Sequence, residues 1–180
     1  DDMVARAIGK FGQVDILVNN AGGAMYVKPP EKLKPEEWNS ATALNLTSVF
    51  LCSQAASQHM ITQKHGSIIN ISSVAGMRLS PAFVHYGAAK AGVINLTKSL
   101  AVCWGAHNIN VNCIAPGLTA TEGVSQWLPS KNKEDGSPVP HLEYPPDPEH
   151  VAELATFLAS SSSSHISGEL FPIRALTELA

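Results

Sequence analysis

Residues 67–90 read SIINISSVAGMRLSPAFVHYGAAK. The apolar, β-branched start of this stretch, Ser67–Ser72, predicts a buried strand, and its Ala-rich end begins a predicted helix over Ala82–Trp104. Tyr86 and Lys90 are four residues apart, so they lie one above the other on that helix. An ammonium group beside a phenol favours the ionised phenol. The stretch therefore predicts a strand, a loop and a helix that presents a tyrosine suited to acid/base chemistry.

Two similar strand-like runs flank this stretch. Upstream, residues 15–22 read DILVNNAG, and the apolar run at 13–19 stops at two amides and two very small residues. Downstream, residues 109–117 read INVNCIAPG, which predicts a strand over 108–115 that stops at Pro-Gly. The central run and both flanking runs therefore end in polar, small or turn-forming residues.

Helical patterns alternate with these strands. Residues 2–10 read as the last part of an amphipathic helix, residues 34–63 as one long helix that His65-Gly66 ends, and residues 148–159 as another helix. Residues 168–173 predict a last strand. This alternation predicts an α/β fold with a doubly wound parallel sheet, covered on both faces, in a single domain over residues 1–180. Ligands in such sheets bind beyond the carboxyl ends of the strands, where Asn20, Ser73 and Pro116-Gly117 fall.

Composition narrows the classes of function. The chain has 180 residues, 44% of them hydrophobic and 15% charged, with a net charge of −3. These values are typical of a globular protein and do not indicate binding to nucleic acid or to a membrane surface. We expect no metal site, because the seven histidines lack ligand spacing. The three cysteines are expected to be buried apolar residues in a reducing compartment, with the cytoplasm as the default location.

The order and spacing of these motifs closely resemble the short-chain dehydrogenase/reductase family, and in particular its 3-oxoacyl-reductase-like members. The resemblance rests on DILVNNAG, on Asn45 in LNLTSVF, on Ser73, and on Tyr86 and Lys90. It implies a Rossmann-like fold and the interconversion of a small-molecule alcohol and ketone with NAD or NADP. Tyr86 would transfer the proton, and Ser73 and Tyr86 would bind the substrate oxygen. Lys90 would hold the nicotinamide ribose, and Asn45 would hold a water that relays protons from Lys90.

The resemblance also implies a set of cofactor contacts. Asn20, Ala21 and Gly22 match the segment beside the adenosine, while the segment at the carboxamide and phosphates is matched by Pro116, Gly117, Thr119 and Thr121. Tyr86 and Lys90 complete the set. A homo-oligomer, dimeric or tetrameric in the full-length form, would assemble through the two long helices.

Part of the family pattern is absent from these 180 residues. No Gly-x-x-x-Gly-x-Gly turn is present, so we expect an N-terminally truncated piece that lacks the first βα units, about 70 residues on the family pattern, and with them full cofactor binding. The segment 122–147, rich in proline, is expected to be a substrate lid. Pro172 cannot donate to a strand ladder, which predicts a last strand that is shortened or at the sheet edge. The choice of substrate and the preference for NAD or NADP cannot be read from the sequence.

Two other functions remain open at this stage. A sugar-nucleotide epimerase or dehydratase shares the Tyr-x-x-x-Lys pattern and the cofactor, although the short region after Pro116 disfavours it. The chain could instead be a non-catalytic interaction protein. A free edge on the strand at 15–19 would then pair with other chains, so the isolated chain is expected to aggregate or to need a partner.

Overall fold

The computed structural model describes residues 2–179, so both ends of the predicted 1–180 domain lie outside the described residues. Four strands form one sheet in the order β1-β2-β3-β4, and every neighbouring pair is parallel. The strands are β1 (Ile16–Asn19), β2 (Gly66–Ile71), β3 (Ile109–Pro116) and β4 (Leu170–Ile173). The α-helices are α1 (Asp2–Phe11), α2 (Pro35–Thr42), α3 (Ser48–Gln63), α4 (Val84–Trp104) and α5 (Pro148–Ala159). The predicted α/β, Rossmann-like fold is confirmed.

Helices cover both faces of the sheet. On one face, Met60 of α3 and Leu100 of α4 pack with Ile68 and Val111 of the central strands. On the other face, Leu158 of α5 packs against the neighbouring strand positions of β2 and β3. Because successive side chains of a strand point to opposite faces, β2 and β3 are apolar nearly throughout.

The helix ends follow local chemistry. Pro35 occupies the first turn of α2, and the carboxylate of Glu37 accepts a hydrogen bond from the Lys34 N–H at 2.9 Å, which satisfies a backbone donor that the helix leaves open. Helix α3 ends because Lys64 adopts a left-handed conformation with φ of 61°. The predicted helix end at Gln63 is therefore confirmed, although the residue that ends the helix is Lys64 rather than His65-Gly66.

The predicted helix over 34–63 is not uniform. A π-helical turn, Ala43–Thr47, lies between α2 and α3, with Asn45 at its centre. Such a turn inserts an extra residue into the helical repeat and is frequent at functional sites. It changes the direction of every side chain that follows it.

The structure confirms the prediction for the last strand and contradicts the prediction for the cysteines. Strand β4 has four residues, lies at the sheet edge and contains Pro172, as predicted. The expectation of three buried cysteines was wrong, because only Cys113 is buried. Cys52 is half-buried, and Cys103 is exposed on α4.

The segment 122–147 contains only short elements. These are 3-10 turns at Glu122–Trp127 and His141–Glu143 and an isolated antiparallel bridge between Asn132 and Pro138. The base of the segment is closed by a hydrogen bond from the Ala120 N–H to the Pro146 carbonyl at 2.9 Å. Within residues 2–179, no helix is long and apolar enough to cross a membrane.

Within residues 2–179, strand β1 pairs with a strand on one side only. Val18 lies opposite Ile69 in the register, on the face that α5 covers farther along the sheet, yet Val18 is 45% exposed. An open edge that carries exposed apolar side chains favours pairing with other chains.

We therefore predict that Val18→Lys lowers the light scattering of the concentrated 180-residue chain by about twofold or more, because a charge at this edge opposes pairing with other chains.

The matched control for this prediction is Val27→Lys, which places the same charge at an exposed loop position. If both variants lower light scattering equally, the effect is one of net charge and the edge of β1 is not the site of association.

Candidate functional site

The predicted site residues lie together at the carboxyl end of the sheet, where three neighbouring strands end. Asn19 of β1 lies opposite Asn70 of β2, which lies opposite Cys113 of β3. Each strand ends within a few residues of this row. Asn20, Ser73 and Gly117, which follow the three strands, therefore lie at the same carboxyl end of the sheet, as their positions in the sequence predicted.

Ser73 and Tyr86 form the centre of the site. Ser73 is extended and half-buried, and its Oγ accepts a hydrogen bond from the Ala75 N–H at 3.2 Å. Its side chain also interacts with the half-buried Tyr86 hydroxyl and lowers the pKa of that phenol. The two predicted residues therefore face each other across the gap between β2 and α4.

The electrostatics of Tyr86 differ from the expectation. Burial raises the pKa of Tyr86 above its ordinary value of 10.0, and the hydrogen bond with Ser73 opposes that rise. The prediction that the Lys90 ammonium lowers this pKa is wrong, because desolvation of the phenolate is the largest effect on it. The phenol therefore stays protonated at neutral pH.

Lys90 connects α4 to the end of β2. It is 2% exposed, and its Nζ donates a hydrogen bond to the Ile71 carbonyl at 2.8 Å. The same nitrogen lies 5.6 Å from the centroid of the Tyr86 ring. Burial lowers the pKa of Lys90 to about 8, although the nearby Cys113 opposes the shift. Lys90 is thus a buried cation beside the phenol.

Two glycines bring the loop that carries Ser73 close to α4. A methyl group on Gly76 would lie 2.5 Å from the Lys90 carbonyl carbon, and one on Gly87 would lie 2.8 Å from the Ser80 Cβ. Such distances leave no room for any side chain. The separation of Ser73 and Tyr86 therefore depends on Gly76 and Gly87, which the sequence analysis did not single out.

Asn45 is fully buried and binds the loop after β1. Its Oδ1 accepts a hydrogen bond from the Gly23 N–H at 2.9 Å, and its Nδ2 donates to the carbonyls of Gly23 at 3.0 Å and Ala41 at 2.9 Å. A methyl group on Gly22 would lie 2.7 Å from Oδ1 and 3.0 Å from Lys90 Nζ. The structure thus places Asn45 and Lys90 around the same glycine.

The remaining predicted cofactor contacts lie at the same carboxyl end of the sheet, where they are exposed or half-buried. Asn20, Ala21 and Gly22 are exposed. Pro116, Gly117 and Thr119 are half-buried, and the Gly117 N–H donates to the Ile173 carbonyl at 2.8 Å. Thr121 is exposed and directly precedes the Glu122–Trp127 turn, at the start of the long segment.

A buried polar network, which the sequence analysis missed, supports the strand ends. Asn19 Nδ2 donates to Asn70 Oδ1 at 2.9 Å and to Ser53 Oγ at 3.0 Å, and Asn70 Nδ2 donates to Thr97 Oγ1 at 2.9 Å. The signal in the sequence was the presence of asparagines inside otherwise apolar strands, because a buried amide requires partners. Within residues 2–179, no group of three or more His, Cys, Asp or Glu side chains is placed to hold a metal ion.

The burial of Lys90 predicts a pH-dependent stability. Its pKa falls from 10.5 when exposed to about 8 in the fold, so the unfolded chain binds more protons between these values and stability rises with pH there. From pH 7 to pH 10, we expect the free energy of unfolding of the wild type to gain about 2 kcal/mol relative to Lys90→Met. Urea unfolding of both proteins at both pH values measures this difference.

Taking the difference between the two proteins removes much of the opposing contribution of Cys113. Burial raises the pKa of Cys113 from 9.0 to about 11. The stability that its neutral thiol contributes is therefore lost as the pH rises from the lower of these values to the higher. A difference between wild type and Lys90→Met that stays constant from pH 7 to pH 10 would contradict the burial of a charged Lys90.

The chain is similar to known proteins over nearly its whole length. The family model described as enoyl-(acyl carrier protein) reductase matches residues 1–174. A 3-oxoacyl-[acyl-carrier-protein] reductase of Thermotoga maritima is 39% identical over 176 residues, which cover 96% of this chain and 69% of the relative.

Two solved structures share the fold and carry dinucleotides. The carveol dehydrogenase of Mycobacterium avium in complex with NAD superposes with a TM-score of 0.87 at 29% identity, over 99% of this chain and 70% of that one. ElxO with bound NADP superposes with a TM-score of 0.84 at 30% identity, over 96% of this chain and 70% of that one. The chain therefore belongs to the short-chain dehydrogenase/reductase family of oxidoreductases.

Proposed function

We propose that the chain carries the catalytic residues of an NAD(P)-dependent oxidoreductase that interconverts an alcohol and a ketone, with Tyr86 as the general acid/base. The observation that carries this proposal is the buried Lys90 ammonium, which lies 5.6 Å from the centroid of the Tyr86 ring, with Ser73 beside the Tyr86 hydroxyl. The solved relatives with NAD or NADP support the cofactor class.

A bound nicotinamide dinucleotide supplies the hydride for carbonyl reduction or receives it from an alcohol. In the reductive direction, negative charge develops on the substrate oxygen, which then needs a hydrogen-bond donor and a proton. Ser73 donates the hydrogen bond, and Tyr86 transfers its proton. The raised pKa of Tyr86 keeps that proton in place until the charge develops.

Lys90 has two roles in this proposal. Its pKa of about 8 leaves it largely protonated at neutral pH, so its charge stabilises the phenolate that Tyr86 becomes. One of its three N–H groups binds the Ile71 carbonyl, which leaves the others for the nicotinamide ribose and for a relay water. Both amide hydrogens of Asn45 are committed, so a relay water would bind its oxygen side or its main-chain carbonyl.

The residues around Lys90 fit a dinucleotide. A side chain at Gly22 would displace the Asn45 amide or the Lys90 ammonium. Glycine there lets the loop backbone lie against both groups, at the end of the sheet where dinucleotides bind in such folds. We assign the adenosine side to Asn20, Ala21 and Gly22, and the carboxamide and phosphates to Pro116, Gly117, Thr119 and Thr121. The 180 residues contain no Gly-x-x-x-Gly-x-Gly turn for the pyrophosphate, so we expect this chain alone to bind the cofactor weakly.

We propose a 3-oxoacyl thioester as the first ketone to test, because the Thermotoga relative is a 3-oxoacyl-[acyl-carrier-protein] reductase. The segment 122–147 is proposed as the lid over it, since its base is closed at Ala120 and Pro146 beside Gly117 and Thr119. Self-association through α3 and α4 is supported by exposed Phe50, Leu51 and Val102.

The cofactor test is a fluorescence titration with NADH and NADPH. It compares the 180-residue chain with a version extended at its N-terminus by a βα unit that carries a Gly-x-x-x-Gly-x-Gly turn. We expect tighter binding by the extended version, because a phosphate-binding turn supplies much of the dinucleotide affinity. Absence of binding by both versions would favour the non-catalytic alternative.

The catalytic test is Tyr86→Phe, assayed with acetoacetyl thioester in the version that binds the cofactor. Loss of the proton donor should lower kcat by about 10²- to 10⁴-fold, while the affinity for the dinucleotide changes far less. Crotonyl thioester and a nucleotide sugar serve as alternative substrates. Turnover of either one, with an unreactive ketone, would assign a different reaction to the same site.

A further inference from the structure

His85, the residue before Tyr86, is buried and makes a short polar contact outside the site described above. It is 1% exposed, and its Nε2 lies 2.7 Å from the Ala24 carbonyl oxygen. Because a carbonyl can only accept a hydrogen bond, Nε2 must carry the proton and donate it. His85 thus connects the first turn of α4 to the loop that follows β1.

The loop at that contact has an uncommon backbone. The Ala24 carbonyl also accepts a hydrogen bond from the Tyr26 N–H at 2.6 Å, which closes a three-residue turn around Met25. Met25 has a φ of 52°, a left-handed conformation that non-glycine residues rarely adopt. The Tyr26 ring is tilted against the His85 imidazole, with centroids 5.8 Å apart. Such a turn persists only where its surroundings hold it.

The same loop contacts the catalytic side chains at the residues just before this turn. Gly22 lies against Lys90 and Asn45, and Gly23 forms two hydrogen bonds with the Asn45 side chain. Of three consecutive residues, Gly22 therefore lies beside Lys90, while Gly23 and Ala24 are hydrogen-bonded to Asn45 and His85. Of these three contacts, only the one from His85 holds the exposed end of the loop, where Met25 is 46% exposed.

We propose that His85 is a positioning residue that fixes the loop 22–26 against α4, so that Gly22 stays in contact with Lys90 and the Met25 turn forms a wall of the substrate and cofactor crevice. This role rests on the proposed oxidoreductase function. His85 itself touches neither substrate nor cofactor. It acts through the loop backbone.

The test compares His85→Ala, which removes the donor, with His85→Gln, whose amide nitrogen can reach the position of Nε2. His165→Asn, at an exposed position, is the matched control. Hydrogen–deuterium exchange of the 180-residue chain is followed at the amides of Gly23 and Tyr26 and, for comparison, in β2 and β3. We expect exchange at residues 22–26 to rise about tenfold in His85→Ala, to stay near wild type in His85→Gln, and to remain unchanged in the strands.

The kinetic arm uses the version that binds the cofactor. If His85 holds the Met25 turn in place as a wall of the crevice, His85→Ala should raise KM by about tenfold with a smaller change in kcat. His85→Gln should restore KM. Unchanged exchange at residues 22–26, equal effects of Ala and Gln, or altered exchange without altered kinetics would each overturn the proposal. If wild type reduces no ketone, the proposed function fails, while the exchange data alone still decide whether His85 orders the loop.

Discussion

The site depends on one buried interaction, the hydrogen bond from the Lys90 ammonium to the Ile71 carbonyl. This contact joins the second turn of α4 to Ile71, the last residue of β2, and it places a cation in the buried interior, where few charges are tolerated. Burial of that charge carries a free-energy cost, which the lowered pKa of Lys90 reflects. The surroundings of Lys90 are correspondingly constrained. A methyl group on Gly76 would lie 2.5 Å from the Lys90 carbonyl carbon, and one on Gly22 would lie 3.0 Å from the Lys90 Nζ, so a side chain at either position would displace its neighbours.

The opposite pKa directions of Tyr86 and Lys90 have one physical cause. Both side chains are largely removed from water, and burial disfavours the charged form of each, so the pKa of the phenol rises and the pKa of the ammonium falls. The two pKa values, 10.0 for Tyr86 and 10.5 for Lys90 when exposed, therefore move apart in the fold. Tyr86 thus holds its proton more tightly than Lys90 does, which keeps the phenol available as a proton donor at neutral pH.

Sequence reasoning found the parts of the fold and site that depend on local pattern. The strands follow from apolar runs, and the contact of Tyr86 with Lys90 follows from a spacing of four on a helix. The features it missed are set by tertiary packing. The hydrogen bonds from Asn45 to Gly23 and from His85 to Ala24 join residues that are distant in sequence, and the close approach at Gly87 depends on how the loop before α4 packs on that helix. The exposure of Cys103 was missed for a related reason, since a mean preference for burial says nothing about which face of α4 a residue occupies.

The hydrogen bond between Ala120 and Pro146 has a consequence for how proteins of this kind can diversify. It closes the base of a 25-residue loop, and it holds the two ends of that loop together independently of the sequence between them. The entropy of closing such a loop grows only slowly with its length, about 0.6 kcal/mol for each doubling. Insertions and deletions beyond that base can accumulate over generations with little penalty to folding, which leaves the region free to evolve new shapes while the strand ends beneath it stay fixed.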